Sequence, residues 1–160
     1  MDEDKIVRRY WLTSIGDDKD HQLESPESAQ NRLITLLNLG WYLFAENTPG
    51  RKRMAPGDQL CFYLKRVGIV AKAELGEPFG YPPSEIKEFV LTKFKYPFRL
   101  RSSQVFLDEP VQLDLKLRCA LDAFEHRNPE HWQWFVQMTH ELSSRDFALI
   151  TSANPEYGSS

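Results

Sequence analysis

Two strand-like, largely apolar runs, Gln59 to Lys65 and Gly68 to Leu75, are separated by only about three residues around Lys65-Arg66-Val67. A connection that short cannot return to the far end of a sheet, so the two runs must pair antiparallel. Further strand-like runs flank this hairpin, and few helical segments between them are long enough for a crossover. The pattern predicts an α+β fold: a mixed, mostly antiparallel, partly closed β-barrel with peripheral helices. A doubly wound parallel sheet and an all-helical bundle are both excluded by it.

Ile6 to Ile15 reads as the first strand, and Gly16 to Glu24 as a polar loop. Ser25-Pro26-Glu27 starts a helix, with a capping Ser, a Pro at the first helical position and a Glu at the positive helix end. The helix is predicted over about Pro26 to Leu39, with Leu33, Ile34 and Leu37 facing the barrel. Gly40 stops it, and Trp41 to Ala45 forms the second strand. Glu46 to Pro56 is a loop carrying Arg51-Lys52-Arg53, and Pro56-Gly57-Asp58 is a turn. Gly76 to Pro83 is a loop, and Glu85 to Thr92 stands between helix and strand. Lys95 to Phe106 is a strand whose start Pro97 demotes to an edge or a bulge. Val111 to Phe124 and Pro129 to Leu142 follow a helical pattern. Ser143-Ser144-Arg145-Asp146 resembles a capping box before a last short helix to about Ser152.

The chain has 160 residues, which suits one domain, here residues 6–152, with loose ends at 1–5 and 153–160. A net charge of -3 argues against binding nucleic acid by bulk charge, though not against a local basic groove. Cys61 and Cys119 cannot build a disulfide scaffold or a four-sulfur zinc site. The acidic start is unlike a signal peptide, and the longest apolar stretch, Leu33 to Ala45, is too short to span a bilayer. No membrane partner and a cytoplasmic location are therefore expected. Neither a Gly-x-Ser-x-Gly elbow, nor a P-loop, nor Gly-x-Gly-x-x-Gly occurs, so no catalytic residue and no cofactor are expected. His126, His131 and His140 are not spaced to share a helical face, so no metal is expected either.

An ordered set of short motifs then becomes informative. Tyr10-Trp11-Leu12 lies on the opening strand and Gly40-Trp41 at the helix end. Met54-Ala55-Pro56-Gly57-Asp58-Gln59-Leu60-Cys61-Phe62-Tyr63 follows the basic loop, and Gly68-Ile69-Val70 leads to Ala73-Glu74. Tyr96-Pro97-Phe98-Arg99-Leu100, His140-Glu141-Leu142, Asp146-Phe147 and Leu149-Ile150 complete the set. This succession, from Tyr10 to Ile150, resembles the EVE domain of the PUA-like superfamily, to which the YTH readers also belong. The resemblance implies a non-enzymatic, nucleic-acid binding module that reads modified bases in DNA or RNA. The chain departs from that pattern where Trp41 is followed by Tyr42 rather than Gly, and in its short turn at Lys65-Arg66-Val67.

A base taken out of its stack needs flat apolar walls and a few polar groups at its edge. Trp41, after a helix stop and before the basic loop, is one predicted wall. Adjacent strand residues face opposite sides, so only one of Phe62 and Tyr63, and one of Tyr10 and Trp11, can serve. Trp11 and Tyr63 are chosen because their edges carry a polar hydrogen. Phosphate contacts are predicted from Arg51, Lys52 and Arg53, and from Lys95 and Arg99, which share a strand face with Lys93 and Arg101. The alternatives are a small-ligand enzyme or a protein-interaction subunit using the same pocket.

Overall fold

The computed structural model describes residues 8–15, 26–45, 48–89 and 94–152. The expected first residues of the opening strand, the Gly16 to Glu24 loop, the Ser25 cap, Lys93 and both chain ends lie outside the described residues. The strands are β1 (Tyr10–Ile15), β2 (Trp41–Ala45), β3 (Gln59–Leu64), β4 (Gly68–Pro78), β5 (Phe94–Val105) and β6 (His140–Leu142). The helices are α1 (Pro26–Leu39), α2 (Leu115–Ala120), α3 (Gln133–Gln137) and α4 (Ser144–Ile150). The strands form one six-stranded sheet in the order β2-β5-β4-β3-β1-β6. It is curled into a half-barrel and is mixed, as the sequence predicted. β1 runs parallel to β3, and all other pairings are antiparallel.

Strand alternation gives this sheet two buried faces. Trp11, Ile15, Leu60, Phe62 and Leu64 point into one core, which α1 closes with Ala29, Leu33, Leu36 and Leu37. These helix positions fall on one stripe at helical spacing. Leu36 is buried in place of Ile34, which is only half-buried. Gly40, with φ of 84°, ends the helix in the left-handed region and donates to the Leu37 carbonyl at 3.0 Å. Leu12, Cys61, Tyr63 and Ile69 point the other way, into a second core built with Leu117, Phe124, Phe135, Phe147 and Ile150.

Of the edge or bulge expected at Pro97, the bulge is found, since β2 and β4 flank β5. Pro97 is accommodated where the β4 register shifts between Leu75 and Pro78, and its carbonyl accepts from Phe79 N at 2.9 Å. The predicted helix over Pro129 to Leu142 is only α3, because His140–Leu142 instead forms the edge strand paired to β1. The capping box is half formed. Ser143 Oγ accepts from Asp146 N at 3.0 Å, but the Asp146 carboxylate accepts from Asp122 N (2.7 Å) and Ala123 N (2.9 Å).

Candidate functional site

The two parallel strands end beside each other, and an open cleft of about 940 Å³ lies there. Ser14 and Ile15 at the end of β1, and Tyr63 near the end of β3, line it. The turn Lys65-Arg66-Val67 forms one rim. This turn is held tightly: Arg66 takes a left-handed φ of 70°, and Val67 N donates to Leu64 O at 2.9 Å. Gln112 Nε2 donates to Val67 O at 2.7 Å. Gly68 follows with φ of 126°, and any Cβ there would lie 2.6 Å from the Val111 carbonyl oxygen. Only glycine lets the hairpin lie against the segment that supplies the opposite wall.

That wall comes from Gln112 to Asp114, Arg118 and α3 with its preceding Trp132. Asp114 caps α2 by accepting from Leu117 N at 2.9 Å. α3 is anchored to β1, because Ser14 Oγ donates to the Val136 carbonyl and the Thr13 and Thr139 hydroxyls are 2.6 Å apart. Trp132 is half-buried; its ring stands edge-on to Tyr63, with centroids 6.4 Å apart. The Arg118 guanidinium lies 4.6 Å from the Trp132 ring centroid, at cation–π distance. Among the described residues, the Tyr63 hydroxyl has no hydrogen-bond partner, although Tyr63 is only 9% exposed. Among the described residues, Lys65, Arg66 and Arg118 line the cleft with one carboxylate, that of Asp114, so the described lining is basic in an acidic chain. Gln133 and Gln137 add carboxamides on the α3 side.

The three residues predicted to share one base pocket are not brought together. The β1–β3 register sets Trp11 beside Leu60 and Ser14 beside Tyr63, so Trp11 and Tyr63 face opposite cores. Trp11 is fully buried, its Nε1 donates to Asp58 Oδ2 at 3.0 Å, and Gly50 lies against its ring. Trp41 is 2% exposed; Phe79 packs edge-on at 4.7 Å and Glu85 accepts from its Nε1 at 2.8 Å. Of the three, only Tyr63 lines the cleft. The basic residues do not line the cleft: Arg53 lies by Arg9 and Trp11 near the start of β1, and the others lie along β5 and the loop before β3. Arg51 stacks on Tyr96 at 4.1 Å, Arg99 on Trp41 at 5.0 Å, and Lys52 is exposed. Arg53 pairs with Glu141 at 2.7 Å, and Arg101 with Glu74 at 3.3 Å. The side chain of Lys95 lies outside the described residues.

The site residues missed by the sequence reading are Trp132, Arg118, Lys65 and Arg66. The one available signal was a basic turn closing an apolar hairpin. Burial keeps the Cys61 thiol protonated far above its ordinary range and lowers the His140 pKa. Neither group lines the cleft. Among the described residues there is no cluster of metal-ligating side chains, and no helix is long and apolar enough to cross a membrane. No protein-family profile matches the chain, and no curated protein does. Among solved structures it is similar to protein Atu2648 from Agrobacterium tumefaciens, at 18% identity and a TM-score of 0.46, over 92% of this chain and 96% of that one. It is also similar to Rpa0253 from Rhodopseudomonas palustris, at 16% identity and a TM-score of 0.42, over 89% of this chain and 90% of that one.

Proposed function

We propose that the chain is a nucleic-acid binding module of EVE type, within the PUA-like superfamily, that takes one unstacked base of DNA or RNA, modified or not, into the cleft between the β1 and β3 ends and α3. The observation that carries this is the meeting of Tyr63 and Trp132 with three cations in one cavity. Aromatic rings supply the stacking surface and the apolar area that a methylated base favours. Gln133, Gln137 and the Tyr63 hydroxyl supply donors and acceptors for a base edge. Exposed Arg66 on the rim is placed for a backbone phosphate. Arg51, Lys52, Arg53, Lys95 and Arg99 are proposed as contacts for a longer strand that extends beyond the cleft. Neither cysteine is in a disulfide, which fits a reducing, cytoplasmic setting for this role.

The test is fluorescence anisotropy with labelled single-stranded DNA and RNA oligonucleotides, with and without methylated bases. Trp132→Ala removes a stacking surface worth about 1–3 kcal/mol, so affinity falls about tenfold to a hundredfold. Circular dichroism establishes that the variant is folded. Unchanged affinity in a folded variant would remove the cleft from nucleic-acid binding.

A further inference from the structure

Arg118 is 8% exposed and lines the cleft. Its Nε donates to the Pro129 carbonyl at 2.7 Å and its Nη1 to the Leu113 carbonyl at 2.5 Å. A guanidinium has five N–H groups, and the others have no hydrogen-bond partner among the described residues. No carboxylate among the described residues lies within ion-pair distance of it. Its positive charge is thus held with no ion-pair partner among the described residues, Asp114 being the one described carboxylate that lines the cleft. The two carbonyls fix the guanidinium in place while leaving Nη2, and one N–H of Nη1, available. That is the donor pair that grips two oxygens of one phosphate. The cleft's volume, about 940 Å³, also stands near the top of the range for small-ligand sites and exceeds what one flat base fills.

We infer that the cleft takes a nucleotide together with its own terminal phosphate, held on Arg118, the ligand being a nucleoside monophosphate either free or at the phosphorylated end of a strand. This rests on the base-reading role proposed above and narrows it. A base in mid-strand would present its phosphodiester to Lys65 and Arg66 at the rim, leaving the buried guanidinium unmatched.

The experiment measures binding of the full chain to short single-stranded oligonucleotides ending in a hydroxyl or in a phosphate, at the 5′ and the 3′ end. The four nucleoside monophosphates, the nucleosides and inorganic phosphate serve as competitors. A phosphorylated end is expected to bind about tenfold to a hundredfold more tightly than a hydroxyl end, as for a hydrogen-bonded charged pair. Monophosphates should compete and nucleosides should not. Arg118→Lys keeps the charge, loses the fork and abolishes the preference. If Arg118→Lys does not fold, the unmodified chain still decides, since its preference for the phosphorylated end and its competition by monophosphates over nucleosides are read without any variant. Equal affinity for both ends overturns the phosphate site; the base-reading role then survives if Trp132→Ala still weakens both. Inorganic phosphate competing as well as the monophosphates, with Arg118→Lys abolishing it, overturns base reading and with it the nucleotide assignment.

Discussion

Asp58 is the residue on which the first core closes, and changing it gives a sharp test. Its Oδ1 accepts from Arg9 N at 3.1 Å, and its Oδ2 accepts from Trp11 Nε1 at 3.0 Å and from Ala55 N at 3.1 Å. Asp58 is 1% exposed and Trp11 is fully buried. In Asp58→Asn one oxygen becomes an NH2 group, which cannot accept. Whichever way the carboxamide turns, at least one buried donor is left facing another donor. An orphaned buried donor costs about 1–3 kcal/mol. The surviving bonds also change from charge-assisted to neutral, which loses about 1 kcal/mol each. Asp58→Asn should therefore destabilise by about 3–5 kcal/mol, a large share of the 5–15 kcal/mol typical of a domain. Urea unfolding followed by tryptophan fluorescence measures this, with an unchanged m-value showing that the unfolded state is the same. A double-mutant cycle with Trp11→Phe isolates the indole bond and should return a coupling of about 1–2 kcal/mol. If Asp58→Asn lies within about 0.5 kcal/mol of the unmodified chain, as an ordinary surface change would, the triple acceptor is not what holds this corner.

Gly50→Ala should cost at least about 2 kcal/mol. The residue has φ of 79°, and a Cβ would meet Trp11 Cζ3 at 2.4 Å; a denaturation midpoint equal to that of the unmodified chain would contradict the close approach. Burial holds the His140 pKa below its ordinary 6.5, with Arg127 adding to this and the Phe135 carbonyl contact opposing it. As pH falls below 6.5 the unfolded chain takes up a proton that the folded chain refuses. Stability is thus full above that value and is lost on acidification. Between about pH 7.5 and about pH 5.5, unfolding free energies of His140→Gln should fall less steeply than those of the parent. Cys61 is buried and Cys119 exposed. A thiol reagent should modify Cys119 in the native protein, and Cys61 only after unfolding; fast reaction of both would contradict the burial of β3.

The hairpin, α1 with its glycine stop, and the alternation of β5 were legible because each rests on neighbours in sequence. Phe98 and Leu100 are buried while Arg99 and Arg101 are exposed, as a period of two requires. The pairing of Trp11 with Tyr63 failed because it needed the register between two parallel strands, which no local pattern encodes. One residue of slip exchanges the faces. Trp132 and Arg118 escaped notice because their contact links two short helical segments whose own periodicity is only a turn or two. The Pro-Gly-Asp turn was correctly placed, but a turn residue does not reveal that its carboxylate reaches back to Trp11. His140-Glu141-Leu142 carries a helical pattern and was won over by the open edge of β1.

The place of β1 between β3 and β6 dictates an order of events in time. The contact between Thr13 and Thr139 joins residues 126 apart in the chain. Closing a loop of that length costs about 3 kcal/mol more than closing the β3–β4 turn. The β3–β4–β5 meander can therefore zip early and β1 can join β3, while the β1–β6 pairing waits for residues 140–142. The cleft needs both the end of β1 and α3, so it comes into being only at that final docking. On a ribosome the nascent chain would carry a nearly complete sheet and no binding site until residues beyond Gln137 had emerged.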